Sequence, residues 1–117
     1  MKIVQVILIS LLSCIVSTDL IAGNYSFLKD SAISYFTDTD TNMMSANIQN
    51  TLNNTPNGKK SVWKNSTTHA WGYAIPSQAQ KRNGAICRHL NVFNEANNRS
   101  GVSNFVFCKI NGAWKIP

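Results

Sequence analysis

Two cysteines and a histidine in the last third of the chain are the residues whose types could bind a metal or form a disulfide. They are Cys87, His89 and Cys108. On a strand, Cys87 and His89 would share one face about 6.6 Å apart, and the sequence offers no evident fourth zinc ligand. A disulfide between Cys87 and Cys108 is therefore favoured over zinc. We predict no metal site and no cofactor.

Catalytic groups are scarce in this sequence. His69 and His89 have no acidic residue at local spacing, and the acidic residues after position 23 are Asp30, Asp38, Asp40 and Glu95. Three of these precede or begin a predicted helix, where capping and the helix dipole explain them. No nucleophile, base and acid can be assembled from the rest. We predict a protein that is not an enzyme, with no catalytic residues.

The two cysteines lie in what reads as a β-hairpin. The apolar runs Ala85–Phe93 and Val102–Ile110 flank a segment rich in turn residues, Asn94–Gly101, which is typical of two antiparallel strands. With Asn97-Asn98 at the turn, Cys87 lies directly opposite Cys108. Opposed Cβ atoms in such a pair are about 5 Å apart, within easy reach of a disulfide.

A helix and further strands complete the predicted domain. Thr37, with Asp40 three residues later, predicts a capped helix start, and Met44, Ile48 and Leu52 form an apolar stripe that ends before Asn53. Further strands are predicted on either side of the hairpin, with Ser77–Asn83 a polar connection and Asn111-Gly112 a tight turn; they are Ser61–Asn65, Ala70–Ile75 and Ala113–Ile116. The predicted class is α+β, with one N-terminal helix packed on a mostly antiparallel meander of four to five strands that carries a cross-strand disulfide.

The segment Met1–Gly23 predicts export. Lys2 precedes an apolar run from Ile3 to Val16, and the small residues Ser17, Ala22 and Gly23 follow, as in a cleavable signal peptide. Residues 24–117 then form one small domain. An alternative is a lipoprotein signal ending at Leu11–Cys14, in which a lipidated Cys14 would be the chain's link to a membrane. Both alternatives place the protein in the periplasm or at the outer membrane or cell surface, where a disulfide persists.

Charge and aromatic residues supply the candidates for a binding surface. From Pro56 onward, nine basic residues face one acidic residue, Glu95, a net of +8. This excess suits either a solvated surface or a face for an anionic envelope component. Nucleic acid is disfavoured for an exported protein. The candidate surface residues are Trp63, Trp71, Lys81, Arg82, Arg88, Arg99, Lys109 and Trp114.

The end of the chain resembles the closing region of the bacterial outer-membrane surface-antigen family. The resemblance is carried by Cys87-Arg88 and by the run from Cys108 through Gly112 and Trp114 to Ile116. It implies a cell-envelope location and brings no enzymatic activity with it. We therefore expect a non-enzymatic envelope protein that docks to another envelope component through its sheet or a basic face, within a larger envelope or secretion assembly. The alternative is a module that binds glycan or peptidoglycan through surface tryptophans.

Overall fold

One α-helix and six β-strands make up the part of the chain that the structure, a computed structural model, describes: residues 32–117. The predicted signal peptide, Cys14 and residues 24–31 lie outside this part and stay predictions. A 3₁₀ helix, Ala32–Tyr35, precedes α1, Asp38–Asn54. The strands that follow are β1 (Ser61–Lys64), β2 (Trp71–Pro76), β3 (Gln80–Arg82), β4 (Ala85–Ala96), β5 (Arg99–Ile110) and β6 (Ala113–Lys115).

All the strand pairs in this sheet are antiparallel. The order is β1-β2-β4-β5-β6, and β3 continues the β2 side of β4. The α+β class and the antiparallel sheet are confirmed, but the described sheet has six strands, because part of the predicted connection 77–83 is β3. Asn83 and Gly84, with φ of 50° and 81°, make the tight turn that folds Gln80–Arg82 back onto β4.

Helix α1 begins as its sequence predicts. The Asp40 main-chain N–H donates to Thr37 Oγ1 at 3.2 Å, and the Thr37 N–H donates to Asp40 Oδ2 at 2.9 Å, which completes a capping box. Met44, Ile48 and Leu52 are buried. The helix ends at Asn54, just beyond the start of the predicted turn cluster. The apolar stripe of α1 packs with residues of the inner sheet face, among them Trp63, Leu90, Val92, Phe107 and Trp114.

Arg88 fastens the C-terminal end of α1 to the sheet. Its Nη1 donates to the Leu52 carbonyl at 2.9 Å, its Nη2 to the Thr55 carbonyl at 3.0 Å and its Nε to the Ser77 carbonyl at 2.8 Å. These carbonyls include groups that a helix end leaves without partners. Burial lowers the pKa of Arg88, but a guanidinium stays protonated at any physiological pH.

The β4–β5 hairpin has the predicted register. Cys87 pairs with Cys108 and Phe93 pairs with Val102, and Asn97 and Asn98 form the turn with φ of 50° and 60°. The two cysteines form a disulfide, with their Cα atoms 4.0 Å apart. The predicted disulfide is confirmed, and it indicates an oxidising environment.

Gly72 lies on β2 between Trp63 of β1 and Asn94 of β4, its partners on the two neighbouring strands. A Cβ built there would overlap the Phe93 carbonyl oxygen and come within 2.8 Å of Trp63 Nε1. A glycine within a strand is typical of a bulge or a close backbone contact, and the structure shows the close contact here.

We expect Arg88→Lys to lower the free energy of unfolding by about 2–3 kcal/mol, because an ammonium cannot replace a guanidinium that donates to four main-chain carbonyls. Arg82→Lys, at an exposed position of β3, is the matched control and should change it by less than about 0.5 kcal/mol. Urea unfolding measures both. Equal effects for the two variants would contradict the role given to Arg88.

The Asp40 carboxylate predicts a pH dependence. Burial alone would raise its pKa, but hydrogen bonds outweigh burial and lower it from the usual 3.8; they come from Thr68, Asn65 and both the main chain and side chain of Thr37. Because the unfolded chain binds the proton more readily, this stability is complete above the ordinary pKa and is lost as pH falls through the lowered one.

We therefore expect Asp40→Asn to be less stable than wild type at pH 7, with a smaller loss of stability between pH 5 and pH 2. Asp38→Asn, at an exposed position in the same helical turn, is the control. Unfolding by urea at several pH values tests this. An Asp40→Asn variant with the same acid dependence as wild type would show that Asp40 does not contribute it.

Candidate functional site

The face of the sheet that points away from α1 carries a row of apolar side chains across four strands. Val62 pairs with Tyr73, Tyr73 pairs with Phe93, and Phe93 pairs with Val102. Side chains alternate along a strand, so Trp71 lies on the same face as Tyr73, two residues away. We call Val62, Trp71, Tyr73, Phe93 and Val102 the outer strip.

The outer strip is open at its ends and packed at its centre. Val62 is 57% exposed and Val102 is 58% exposed. Trp71, Tyr73 and Phe93 are half-buried, because their rings lie against one another. Phe93 is 5.0 Å from Tyr73 and 5.0 Å from Trp71 between ring centroids. The result is an ordered apolar surface whose rings are already held in place.

The Tyr73 ring is covered on both faces. Phe93 on β4 stacks on it with an interplanar angle of 14°. Lys60, which precedes β1, places its Nζ 4.0 Å from the ring centroid. Since β1 and β4 flank β2 on opposite sides, the two groups lie on opposite faces of the ring. Tyr73 therefore presents its edge to a ligand, whereas a sugar stacks on a ring face.

Trp71 is oriented by a hydrogen bond. Its Nε1 donates to Glu95 Oε2 at 2.8 Å, and Glu95 pairs with it across β2 and β4. On its other side Trp71 pairs with Lys64 of β1, which is exposed. Glu95 is the single acidic side chain after position 56, and its carboxylate accepts the hydrogen bond of the Trp71 indole. The border of the outer strip is therefore cationic, at Lys60 and Lys64.

Three of the predicted surface residues are buried, which corrects the sequence-based expectation for them. Trp63 is 6% exposed and packs edge to face with Phe36 at 5.3 Å. Trp114 is 7% exposed, and its Nε1 donates to Asn53 Oδ1 at 2.8 Å. Arg88 is 9% exposed and holds the end of α1. All three belong to the inner sheet face, which the helix covers.

The remaining predicted cations are exposed but do not share a face. Lys81 and Arg82 are on β3, Arg99 lies over the Tyr35 ring at 5.3 Å, and Lys109 lies over the Trp114 ring at 5.9 Å. The last two therefore lie towards the helical side of the sheet. Of the predicted surface, the structure brings only Trp71 into the outer strip. Binding by the other exposed residues stays a prediction.

The described residues include few side chains that could bind a metal ion or act as a nucleophile. Among them, no group of three His, Cys, Asp or Glu side chains could hold a metal ion. Cys87 and Cys108 are joined to each other, and His89 is exposed on the outer face. No helix in residues 32–117 has the length and hydropathy to cross a membrane.

Sequence reasoning missed four members of the outer strip: Val62, Tyr73, Phe93 and Val102. Part of the signal was available, since the predicted register that places Cys87 opposite Cys108 also places Phe93 opposite Val102. Tyr73 follows Trp71 by two residues and so shares its face on any strand. What the sequence lacked was the register of β2 against β4, which joins the two halves of the row.

Comparison of the chain with known protein families, with curated proteins and with solved structures finds no match.

Proposed function

We propose that this protein is a non-enzymatic binding protein of the bacterial cell envelope that docks to a protein partner through the outer strip. One observation supports this above the others. The inner face of the sheet is already covered by α1, yet an apolar row crosses four strands on the opposite face and ends in two well-exposed valines. Exposed apolar surface of this kind is a common property of interaction sites.

The partner's chemistry follows from the border of the outer strip. Aromatic edges and valine methyl groups favour an apolar protein surface, since such contacts need no particular hydrogen bonds. Lys60 and Lys64 lie at one end of the row, and the chain from Pro56 onward has a net charge of +8. The best fit is an envelope protein whose apolar contact surface is bordered by aspartate and glutamate.

The proposed location rests on three arguments. The Cys87–Cys108 disulfide favours an oxidising compartment. The segment Met1–Gly23 is typical of an export signal, with lipidation of Cys14 as the alternative. The resemblance to the outer-membrane surface-antigen family agrees with an envelope protein. We therefore propose that the protein binds its partner in the periplasm or at the outer membrane. The partner would belong to a larger envelope or secretion assembly.

The glycan-binding alternative now depends on Trp71. Trp63 and Trp114 are buried, and the Trp71 indole is held by Phe93 and Glu95. Titration with soluble muropeptides, followed by tryptophan fluorescence in wild type and Trp71→Phe, separates the two functions. A saturable change that Trp71→Phe abolishes would favour glycan binding over a protein partner.

A photo-reactive amino acid at position 62 or 102 tests the protein-docking proposal in intact envelopes. Both positions lie at open ends of the outer strip, so we expect the same discrete partner to be crosslinked from each, identified by mass spectrometry as an envelope protein. Position 86 is the matched control, because Ile86 is also an exposed apolar strand residue, 44% exposed, but lies outside the strip.

Val62→Asp should reduce crosslinking from position 102 by roughly tenfold or more. The aspartate puts a negative charge into the apolar row, and this charge repels the acidic residues proposed to border the partner's contact surface. Ile86→Asp should leave this crosslinking unchanged. Crosslinks of equal yield from positions 62, 86 and 102, or none from 62 and 102, would contradict docking through this face.

A further inference from the structure

Within residues 32–117, strand β5 is paired over most of its length on one side and over only a short part on the other. From Arg99 to Cys108 it pairs with β4. On its other side β6 pairs with only its last three residues, Cys108–Ile110. Among residues 32–117, no strand pairs with the segment of β5 nearer the Asn97-Asn98 turn on that second side. An edge of this kind is a template for another strand.

The register shows which main-chain groups point outward from this edge. The Cα atoms of Cys87 and Cys108 are 4.0 Å apart, the short spacing of a pair that does not exchange hydrogen bonds. Such pairs alternate with hydrogen-bonded ones, so even-numbered residues of β5 turn their N–H and C=O groups away from β4. The pairing of Ile110 with Ala113 around Asn111-Gly112 agrees with this.

The outward groups therefore belong to Ser100, Val102, Asn104 and Val106. No main-chain hydrogen bond in the described part of the chain joins any of the four to another element. Their side chains lie on the outer sheet face, and Val102 is the last member of the outer strip. The exposed apolar row thus runs directly to the edge that no other described strand pairs with.

The other strand edges are guarded by charge, and this one is not. Lys59, Lys60 and Lys64 surround β1, Lys81 and Arg82 are in β3, and Lys115 is in β6. Lysine on an edge opposes pairing with another chain. Residues 100–107 of β5, by contrast, have no charged side chain and no proline. In a strongly basic protein, this is the edge at which a second copy meets least repulsion.

We propose that two copies of this chain associate by antiparallel pairing of β5 with β5. The arrangement has two-fold symmetry, in which the same surface serves both copies. The register that pairs all four outward residues sets Val102 opposite Asn104 of the second copy and Ser103 opposite Ser103 of the second copy. It provides about eight main-chain hydrogen bonds.

The symmetric pairing would also enlarge the outer strip. A two-fold axis perpendicular to the sheet keeps both outer faces on the same side, so the apolar row of one copy continues into that of the other across the β5 edges. A single strand pair buries less area than a standard stable interface. We therefore expect a weak dimer, whose dissociation constant is in the micromolar range or higher. This inference does not depend on the identity of the docking partner.

Sedimentation equilibrium of the full exported chain, over a range of concentrations and without any partner, tests the dimer. Asn104→Lys and Asn91→Lys make a matched pair. Asn91 Nδ2 donates to Asn104 Oδ1 at 2.9 Å, so each variant loses the same hydrogen bond and gains the same charge on the same face. Only residue 104 lies on the edge strand.

We expect Asn104→Lys to weaken association by ~10-fold or more, since it places a lysine beside its copy across the axis. Asn91→Lys should change association less than about twofold. A monomer at all concentrations, or equal weakening by both variants, would overturn the proposal. Failure here would leave crosslinking of an envelope partner from position 62 unaffected, because Val62 lies on β1, away from the β5 edge, so the two proposals fail separately.

A cysteine crosslink tests the register. Under mild oxidation, Ser103→Cys should form a covalent dimer readily, because the two copies of residue 103 face each other at the axis. Ser100→Cys, whose copies would be six residues apart along the paired strands, should form it slowly. Faster crosslinking of Ser100→Cys than of Ser103→Cys would overturn this pairing.

Discussion

The register of the β4–β5 hairpin is the constraint on which the rest of the structure depends. Asn97 and Asn98 accept the positive φ of a two-residue turn, and the Cys87–Cys108 disulfide fixes the same register at the far end. In the chain-entropy view this crosslink contributes about 3 kcal/mol. A slip of one residue would exchange the two faces of β5 relative to β4 and bury the β5 side chains that now face solvent.

With that register fixed, each face of the sheet has a different role. On the inner face lie Arg88, which binds the C-terminal end of α1, and the apolar residues that pack against the helix. On the outer face lie Phe93 and Val102, which extend the outer strip that begins at Val62. The same alternation points away from β4 the main-chain groups of β5 that no other strand in residues 32–117 pairs with. The proposed docking surface and the proposed dimer edge are therefore two consequences of one strand pairing.

The sequence predicts the local features well and the long-range ones poorly. The capping box at Thr37, the Asn97-Asn98 turn and the disulfide depend on residues that the turn or helix brings together, so spacing alone suffices. The register of β2 against β4 depends on packing between distant segments. For that reason the sequence could not show that Trp114 is buried, that Arg88 reaches the end of the helix, or that Tyr73 meets Phe93.

The most direct measurement is the oxidation state of Cys87 and Cys108 in protein isolated from the cell that makes it. Alkylation before and after reduction, followed by peptide mass spectrometry, reports each cysteine separately. We predict that both are protected before reduction, as one disulfide-linked peptide pair, and that both are alkylated after it. Two cysteines freely alkylated in the native protein would contradict the fixed hairpin and the oxidising location together.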